Sequence, residues 1–388
     1  MKNKLKVAID ATPLLGSKTG VGEFTSGLIN ALVNLDIDTQ AFAVSWRNRN
    51  QLLAHIPKAM SVMSRPIPAR PMHLLWERIN FPPIELWTGK IDVVHGTNFV
   101  VPPSLAAARI MTVHDLTTLK YPQLCNESTK KFPALIKKAL LEGAWIHTPS
   151  EFVAEEVIDS LGAPRERVLA IHSGIPILRS GEDTSVQKSD KQILNEQLEK
   201  AGFAHAKDKP YILALGTIEP RKDLPTLIKA FDEIAGQYRD LFLFIVGQDG
   251  WGIQQYNDAF GLMHHKKKVV RLGFVSSKVR YELIQHATVF AYPSLYEGFG
   301  FPPLEAMALG VSVVSTTAGA LPEVLGDAAI LVKPKDVDGL GQSLSLCLSD
   351  QSIKKSLIEK GLQRAQLFSW EKCASEMASF YNLASKSK

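Results

Sequence analysis

The chain has 388 residues, of which 45% are hydrophobic and 21% charged, and its net charge is +5. These proportions are ordinary for a folded globular protein and exclude a disordered chain, a collagen and a coiled-coil rod. The length exceeds what one hydrophobic core usually organises, so two domains are expected. Three widely spaced cysteines, Cys125, Cys347 and Cys373, exclude a disulfide framework and a cysteine zinc cage, and they favour a reducing compartment.

The amino terminus predicts neither a signal peptide nor a membrane anchor. The apolar run that begins at Val7 is too short for the core of a signal peptide. The longest uncharged stretch, 306–322, is interrupted by Gly310 and Gly319, so no transmembrane helix is predicted. The expected location is the cytoplasm, with a contact at the inner face of the cell membrane left open.

Positive charge is concentrated in residues 41–150, where 13 Lys and Arg face six Asp and Glu. A basic region attracts nucleic acid, an anionic membrane surface or a phosphorylated substrate. Because no nucleic-acid-binding motif accompanies it, nucleic acid is not an expected partner. The segment 65–87 mixes Arg65, Arg70 and Arg78 with large apolar side chains. Two interpretations stay open: peripheral contact with an anionic membrane, or packing of the aromatic residues inside the first domain.

Short β-branched runs alternate with helical stretches along both halves of the chain, which is typical of parallel sheets covered by helices. In the first half the predicted helices are 22–35 and 151–161, and the predicted strands are 6–10, 39–44, 93–95, 110–113 and 145–148. In the second half the predicted helices are 225–235, one from 351 onward and one starting at 368–370. The predicted strands there are 211–215, 241–246, 269–272, 289–292, 311–315 and 330–332.

Polar sequence between residues 173 and 208 interrupts this alternation and predicts a domain boundary. We expect a first domain over 1–190, a second over 191–368 and a C-terminal helix over 369–388. The predicted fold class is α/β, with two doubly wound Rossmann-like domains that face each other across a cleft. Ligands are expected in that cleft, beyond the carboxyl ends of the strands.

The densest chemical signal is the sequence YEGFGFPPLEAMALG, 296–310, between a predicted strand and a predicted helix. Its glycines allow the backbone to approach a ligand, and the helix N-terminus offers free N–H groups to a diphosphate. Glu305 is expected in the first helical turn, where its carboxylate suits a vicinal diol such as a ribose. Glu297 is expected on the loop, facing another part of the ligand. The alternative is a helix-capping Glu305 and a solvated Glu297.

A second signal, GTIEPRKDL over 216–224, also lies between a strand and a helix. Arg221 as a planar fork and Lys222 as a point charge are suited to a nucleotide diphosphate. The alternative is a solvated pair of cations on a surface loop.

Two weaker signals lie in the first half. The loop 16–23 holds Gly20 and Gly22 but lacks the GxGxxG spacing, so it either turns the chain or lets a phosphate approach the backbone. His114 and Asp115 follow a predicted strand. There His114 would bind a substrate hydroxyl or phosphate and Asp115 would orient it or accept a proton, unless His114 is a structural histidine. The pair His264–His265 precedes three lysines and is predicted to be a surface turn rather than a metal site.

Together these segments resemble the retaining GT-B glycosyltransferases of family four over nearly the whole chain. The resemblance rests on the Glu-x7-Glu pair 297/305 and on four further segments in the family order, with a closing helix whose counterpart commonly crosses back onto the first domain. These segments are TGVGEFTSGLINAL, TVHDL, HTPSEF, GTIEPRKDLPTLIKAF and, for the closing helix, FSWEKCASEMASFY.

Sequences of this type look most like bacterial mannosyltransferases of surface-polysaccharide synthesis. The resemblance therefore implies transfer of mannose from GDP-mannose to a saccharide or polyprenyl-linked acceptor, with UDP-sugars and GDP-fucose left open. It also implies front-face substitution with retention, no cofactor beyond the nucleotide-sugar donor and no metal ion. A nucleotide-sugar-binding protein without catalysis, an epimerase, a phosphorylase and an NAD-dependent dehydrogenase are the competing readings, and each fits these segments less well.

The resemblance also implies roles for single residues. Arg221 and Lys222 would hold the diphosphate, Glu305 the ribose, Glu297 the donor sugar, and His114 would contact the transferred sugar. Many relatives carry an arginine where this chain has Thr217, so Arg221 is interpreted as its substitute. The implied catalytic set is His114, Asp115, Arg221, Lys222 and Glu297, and the implied donor-binding set is Gly20, Gly22, Thr217, Arg221, Lys222, Gly298, Phe299, Gly300, Leu304 and Glu305.

Overall fold

The computed structural model describes residues 4–387 apart from 16–18, 47–48, 64–66, 128, 176–189, 201 and 207. The chain divides into two compact units, one formed by 1–176 with 368–388 and the other by 177–367. The boundary predicted at residues 190/191 adjoins a segment outside the described residues. The C-terminal segment belongs to the first unit, and it is separated in sequence from the rest of that unit by the whole of the second.

The first unit is built on a seven-stranded parallel sheet with the strand order β3-β2-β1-β4-β5-β6-β7. Its strands are β1 (Lys6–Asp10), β2 (Asp38–Phe42), β3 (Ser61–Val62), β4 (Val93–Gly96), β5 (Ala108–Thr112), β6 (Trp145–Thr148) and β7 (Val168–Ala170). Its helices up to the boundary are α1 (Gly20–Leu32), α2 (Arg49–His55), α3 (Ala69–Ile79), α4 (Glu85–Thr88), α5 (Thr117–Lys120), α6 (Phe132–Leu141) and α7 (Glu151–Leu161).

The second unit has a six-stranded parallel sheet with the order β10-β9-β8-β11-β12-β13. Its strands are β8 (Tyr211–Leu215), β9 (Phe242–Val246), β10 (Val269–Gly273), β11 (Val289–Tyr292), β12 (Val313–Thr316) and β13 (Ala329–Val332). Its helices are α8 (Asp190–Lys200), α9 (Leu224–Ala235), α10 (Ile253–Leu262), α11 (Ser277–Gln285), α12 (Phe301–Ala308), α13 (Leu321–Leu325), α14 (Val337–Ser349) and α15 (Gln351–Ala365). The last helix of the chain is α16 (Trp370–Lys386).

The central strands are apolar because helices cover both faces of a parallel sheet. All five residues of β8 and of β9 are buried, and so are all four of β11. This continuous burial is the feature that makes such strands recognisable in the sequence. The predicted α/β class with two doubly wound parallel sheets is confirmed, and β1, β6, β8 and β11 have the predicted bounds.

Helix α16 packs on the first unit through one apolar stripe. Its N-cap is Ser369, whose side chain accepts a hydrogen bond from the Lys372 amide. Close approach at its start depends on Gly27 and Gly174, because a Cβ atom at either position would lie within 2.3 Å of Trp370. The buried residues of the stripe recur every three or four positions: Cys373, Ala374, Met377, Phe380, Tyr381 and Ala384.

Each sheet has one point where the strand order reverses. In the first unit β1 lies between β2 and β4, and in the second β8 lies between β9 and β11. The connections that leave β1 and β4, or β8 and β11, therefore diverge in opposite directions and leave a crevice at the carboxyl ends of the strands. Ligands of doubly wound proteins bind at this position, so each crevice is a candidate binding site.

Among the described residues, no helix combines the length and the apolar character needed to cross a bilayer.

Candidate active site

The loop after β8 brings two cations to the crevice of the second unit. Gly216 follows the strand with φ of 143°, a conformation that a side chain rarely adopts. A short 3-10 turn, Pro220–Lys222, then ends at Asp223 in the left-handed region, and α9 begins. The turn presents Arg221 and Lys222 side by side at the reversal point between β8 and β11.

Glu297 forms ion pairs with both cations. Its Oε1 lies 2.7 Å from Lys222 Nζ, and its Oε2 lies 2.5 Å from Arg221 Nη1. Arg221 Nη1 also donates to the Tyr296 carbonyl at 3.0 Å, and Nη2 donates to Glu219 at 2.7 Å. The sequence predicts that Glu297 lies on the loop and faces a different part of the ligand from Glu305. The structure brings Glu297 together with Arg221 and Lys222 in one largely buried cluster.

Tyr292, at the end of β11, completes the cluster. Lys222 Nζ donates to the Tyr292 hydroxyl at 2.6 Å and lies 4.6 Å from the centre of its ring. Neither Tyr292 nor Glu219 was identified from the sequence. A tyrosine at a strand end has no distinctive spacing in the sequence. The role of Glu219 follows from its ion pair with Arg221, which only the structure shows.

Burial and charge act against each other on Glu297. Burial raises the pKa of Glu297, but the charges of Arg221 and Lys222 outweigh it and bring the pKa to about 2. For Lys222, burial and then the neighbouring Arg221 charge lower the pKa, and Glu297 opposes this shift. Burial is also the main reason that the pKa of Tyr292 is raised well above its usual value. The carboxylate therefore stays ionised over the whole physiological range.

The Glu297 backbone is fixed by a glycine that sequence reasoning missed. Gly319, with φ of 60°, packs so closely that a Cβ there would lie 2.2 Å from the Glu297 carbonyl oxygen. The same carbonyl accepts a hydrogen bond from the Ala320 amide at 2.8 Å. The loop after β12 thus holds the loop after β11 in place. No local pattern around Gly319 marks this contact, which joins two separate segments.

Glu305 occupies a different position from the one expected. Helix α12 begins at Phe301, so Glu305 is its fifth residue and lies outside the first turn, which holds no acidic residue. Its carboxylate is 1% exposed and forms an ion pair with Arg280 of α11. Neither alternative from the sequence, a capping Glu305 or a solvated Glu297, describes these two carboxylates. Arg280 is the functional neighbour that sequence reasoning did not find.

The turn between Glu297 and α12 has the predicted backbone geometry for close approach. Gly300 is the N-cap of α12 with φ of 119°, and prolines follow in the first turn. Gly298 and Phe299 are buried, and the Phe299 ring packs edge-on against Phe301 at 5.1 Å. The Leu304 side chain is fully buried in the core. Thr217 is half-buried in the loop after β8.

In the first unit, His114 and Asp115 follow β5 but do not act on each other through a hydrogen bond. His114 Nε2 lies 2.8 Å from the Thr97 carbonyl, so this nitrogen carries the proton and donates. Burial lowers the pKa of His114, which keeps it neutral at pH 7. Asp115 Oδ1 accepts from the amide of Thr117, the first residue of α5, at 2.8 Å. The group that orients His114 is Thr97, not Asp115.

The predicted glycine loop is helical from Gly20 onward. Gly20 and Gly22 lie in the first turn of α1, which begins two residues earlier than expected, and 16–18 fall outside the described residues. Gly22 is buried, and a Cβ there would lie 3.1 Å from the Pro13 carbonyl oxygen. Its small size therefore allows α1 to pack against the turn after β1.

A buried hydrogen-bonded chain connects α16 to the first sheet. Tyr381 OH lies 2.8 Å from His95 Nδ1, His95 Nε2 lies 2.7 Å from Thr112 Oγ1, and Thr112 Oγ1 lies 3.0 Å from His147 Nδ1. His147 Nε2 donates to the Ile171 carbonyl at 3.0 Å. Since that carbonyl only accepts, every proton points the same way, from Tyr381 through His95 and Thr112 to His147. Burial lowers the pKa values of both histidines, so both are neutral, and each accepts through one ring nitrogen and donates through the other.

The segment 65–87 divides between core and surface. Arg65 lies outside the described residues. Trp76 is buried and its Nε1 donates to the Pro82 carbonyl at 2.9 Å. Other large apolar side chains of the segment are exposed: Leu74, Ile79, Phe81 and Leu86.

No group of three or more potential metal-ligating side chains occurs in the described part of the chain. His264 and His265 lie beside a 3-10 turn of lysines, where both amides and both Nδ1 atoms are hydrogen-bonded to Asp232.

Comparison with known families assigns both halves of the chain. Residues 18–179 match the model described as Glycosyltransferase Family 4, and residues 195–364 match Glycosyl transferases group 1. O-antigen chain mannosyltransferase B of Escherichia coli is 30% identical over 293 residues, 75% of this chain and 74% of that protein. This chain is a family 4 glycosyltransferase.

Solved structures agree with the GT-B fold of this glycosyltransferase. A glycosyltransferase from Rickettsia africae superposes with a TM-score of 0.70 at 17% identity, covering 100% of each chain. HepE of Anabaena, solved with UDP-glucose, gives a TM-score of 0.70 at 16% identity and covers 97% of this chain and 99% of its own. At these identities the likeness concerns the fold alone.

Proposed function

We propose that this glycosyltransferase moves mannose from GDP-mannose to a saccharide or polyprenyl-linked acceptor in bacterial surface-polysaccharide synthesis, with retention at the anomeric carbon. The observation that carries the proposal is the cluster of Arg221, Lys222 and Glu297 at the reversal point of the second sheet. Mannose is favoured because the Escherichia coli relative that spans three quarters of this chain is named as an O-antigen mannosyltransferase.

In the proposed site, Arg221 and Lys222 bind the donor diphosphate. Lys222 has three N–H donors, and the described contacts use two of them, on Tyr292 and Glu297. The third is available for a phosphate oxygen. Because Glu297 and Glu219 balance the two cations before the donor arrives, the site holds its charges in place without the cost of isolated buried ions.

Glu297 would also accept hydrogen bonds from the donor sugar, and Glu305, oriented by Arg280, would bind the ribose. Backbone groups of Gly298, Phe299 and Gly300 would line the diphosphate at the start of α12. These assignments follow the family resemblance, and the ion pairs described above supply the fixed geometry that they require.

The proposed reaction is a front-face substitution. The bond between the anomeric carbon and the diphosphate oxygen breaks, and the acceptor oxygen bonds to the same face of that carbon. The acceptor's proton passes to the departing diphosphate, so no protein nucleophile is required. Arg221 and Lys222 stabilise the negative charge that develops on the leaving group, which is the task a divalent metal performs in other enzymes. We therefore expect EDTA to leave turnover within about twofold, and loss of activity would contradict metal-independent transfer.

The donor assignment is tested by ligand-dependent thermal stability. A ligand that binds only the folded protein raises the melting temperature by mass action. We expect GDP and GDP-mannose to stabilise the wild type more than UDP, ADP, their sugars or NAD. Lys222→Ala should weaken GDP binding about tenfold or more, since a hydrogen bond to a charged group is lost. Lys267→Ala, an exposed lysine of the same unit, is the matched control and should bind like the wild type.

Other outcomes of this panel are equally decisive. Stabilisation by a UDP-sugar would keep the reaction class and replace mannose. Binding without release of GDP from GDP-mannose, with or without acceptors, would indicate a non-catalytic nucleotide-sugar-binding protein. Stabilisation by none of the nucleotides would contradict the assignment of the cluster to the donor.

We also propose that the first unit touches an anionic membrane through the exposed part of segment 65–87. Leu74 and Phe81 are 47% and 58% exposed, and Arg70 and Arg78 are exposed on α3. Apolar side chains beside cations suit the boundary between headgroups and acyl chains. Replacing Leu74 and Phe81 by Gln should reduce sedimentation with phosphatidylglycerol vesicles several-fold. Leu262→Gln, at a 79% exposed site of the second unit, should not.

A further inference from the structure

Asp10 is a buried carboxylate that the proposed donor site does not use. It is the last residue of β1 and is 8% exposed. Its Oδ1 accepts a hydrogen bond from the Thr12 amide at 2.8 Å and contacts the Thr12 hydroxyl. The described residues offer no donor to Oδ2. Oδ2 is therefore the oxygen of this largely buried carboxylate that is available to a ligand that donates a hydrogen bond.

Its place in the sheet is that of a ligand-binding residue. Asp10 stands where the strand order of the first unit reverses, between Phe42 of β2 and the end of β4. In the second unit, the loops that follow the strands at the reversal point hold Lys222 and Glu297. The glycine pattern of the loop after β1 does not mark Asp10, which ends the strand.

Thr97 connects Asp10 to His114. The Thr97 hydroxyl donates to the Asp10 carbonyl at 2.7 Å, and the Thr97 carbonyl accepts from His114 Nε2 at 2.8 Å. Because Nε2 carries the only proton of the neutral imidazole, Nδ1 is an acceptor. The edge of the first sheet therefore offers two hydrogen-bond acceptors: Asp10 Oδ2, on a carboxylate that Thr12 holds, and His114 Nδ1, on a ring that Thr97 holds.

The two acceptors, Asp10 Oδ2 and His114 Nδ1, and the negative charge of Asp10 indicate the chemical class of the ligand. They repel a phosphate or a carboxylate, and they accept hydrogen bonds from neighbouring hydroxyl groups, as carbohydrates provide. The cluster of the second unit contains the cations Arg221 and Lys222, which donate hydrogen bonds and therefore suit the nucleotide diphosphate. The first crevice thus offers hydrogen-bond acceptors and the second offers cationic donors, as two different substrates require.

We propose that Asp10 is an acceptor-binding residue, whose Oδ2 accepts a hydrogen bond from a hexose hydroxyl of the acceptor saccharide. This inference rests on the proposed transfer to a saccharide and names the residue that positions the incoming sugar. His114, which the family resemblance assigns to the transferred sugar, is its neighbour through Thr97.

The charge of Asp10 depends on pH near neutrality. Burial raises the pKa of Asp10 to about 6, and the hydrogen bonds from Thr12 oppose the shift. Of the elements around it, β2 contributes Phe42, the turn after β1 contributes Thr12, and the loop after β4 contributes Thr97. The titratable neighbour is His114, behind Thr97. Acceptor binding should therefore weaken as the pH falls through about 6, because a protonated carboxyl accepts a weaker hydrogen bond.

The test is Asp10→Asn, assayed as mannose transfer from GDP-mannose to methyl α-D-mannoside. Asparagine keeps an oxygen for the Thr12 amide and hydroxyl, so the turn is retained while the charge is lost. We expect KM for the methyl mannoside to rise about tenfold or more. GDP affinity and hydrolysis of GDP-mannose without acceptor should stay within about twofold. The fall in kcat/KM between pH 7 and pH 5 should be present in the wild type and absent in the variant.

Thr12→Val is the structural control. It loses the hydroxyl beside Asp10 and a hydrogen bond to the Val44 amide but keeps the carboxylate, so it should lower stability and leave KM for the methyl mannoside within about threefold. An unchanged KM in Asp10→Asn would overturn the proposal. So would a wild type that hydrolyses its donor yet transfers to none of methyl α-mannoside, α-glucoside and α-galactoside. If the wild type hydrolyses another nucleotide sugar instead, the donor assignment fails and the same comparison is made with that donor.

Discussion

At the scale of single residues, the site is governed by compensation of buried charges. Arg221, Lys222 and Glu297 are each at most one fifth exposed, and any one of them alone would lose most of its hydration. Their mutual distances of 2.5 and 2.7 Å make the ionised state of all three the stable one. A diphosphate that enters this cluster meets cations that are already charged and oriented.

The compensation can be measured through pH. Glu297 has a pKa of about 2 in the folded protein and its ordinary value, 4.5, when unfolded. A carboxylate with a depressed pKa stabilises the fold above its unfolded pKa, and the stability is lost as the pH falls from 4.5 towards 2. Glu297→Gln should therefore cost about 3 kcal/mol at pH 7 because it leaves two buried cations with less compensation. The cost should shrink at pH 3, as measured by urea unfolding.

The control for this measurement is Glu359→Gln, an exposed glutamate of α15 in the same unit. It should change the free energy of unfolding by less than about 0.5 kcal/mol at either pH. A cost of Glu297→Gln that is the same at pH 7 and pH 3 would show that the carboxylate acts through packing and not through its charge.

At the scale of elements, glycines decide how closely loops approach one another. Gly319 lies against the Glu297 backbone with φ of 60°, so a methyl group there meets both strain and a carbonyl oxygen. Gly261 lies on the surface of α10 with no atom within 4 Å of its Cβ position. Two glycines of the same unit therefore have opposite expected responses to the same substitution.

Gly319→Ala should destabilise the second unit by several kcal/mol and weaken GDP binding, because the loop that carries Glu297 must move. Gly261→Ala should instead stabilise the protein by up to about 1 kcal/mol through helix propensity, with unchanged GDP affinity. Thermal unfolding with and without GDP measures both effects. Equal responses of the two variants would mean that the close approach at Gly319 is not a constraint.

The chain from Tyr381 to His147 makes the docking of α16 sensitive to acid. Burial lowers the pKa of His147 to about 3 and that of His95 well below its usual value. Below pH 6.5 the histidines of the unfolded chain bind protons, whereas the buried histidines of the folded unit stay neutral. The free energy of unfolding therefore decreases as the pH decreases. At pH 5, His147 alone should cost about 2 kcal/mol relative to pH 7, and His95 adds in the same direction.

Labelling of the Cys373 thiol on α16 under mild urea reports this loss. Because only the thiolate reacts, the labelling rate is first corrected for the fraction of exposed thiol that is ionised at each pH. The corrected rate should be faster at pH 5 than at pH 7. The variant His264→Gln, at an exposed histidine of the second unit, should show the same acceleration. An opening rate that does not depend on pH would mean that the histidines protonate without releasing the helix.

At the scale of the whole molecule, each unit has its own hydrophobic core, and each core contains one buried cysteine. Cys347 lies in the second unit and Cys373 in the first, and burial raises their pKa values to about 11 and about 12. Both thiols are unreactive while their unit is folded. They therefore serve as separate reporters of the two units.

We expect GDP to shift the urea midpoint for labelling of Cys347 upward, by an amount that grows with the logarithm of its concentration. The midpoint for Cys373 should stay unchanged, because the proposed diphosphate site lies in the second unit. Mass spectrometry after pulsed alkylation resolves the two sites. A joint shift of both midpoints would show that the chain unfolds as one cooperative unit.

Much of the fold was predictable because the determinants are local. The buried strands β8 and β11 are continuous apolar runs, and Pro225 marks the first turn of α9. The short edge strands β3 and β7, with two and three residues, were missed because they carry no such run. Their pairing depends on a neighbouring strand and not on their own composition.

The sequence by itself determined the α/β class, the glycosyltransferase family and the residues with the chemistry for a diphosphate, since glycine turns, cation pairs and acidic residues have recognisable spacing. Only the tertiary structure decided which of them meet. It brought Glu297 into contact with Arg221 and Lys222. It also paired Glu305 with Arg280 and buried Leu304 in the core. In the first unit it placed Asp10 beside Thr97. The physical reason is that a doubly wound sheet orders its strands differently from the chain. Contacts across a point of reversal therefore join residues tens of positions apart, whose pairing no local pattern encodes.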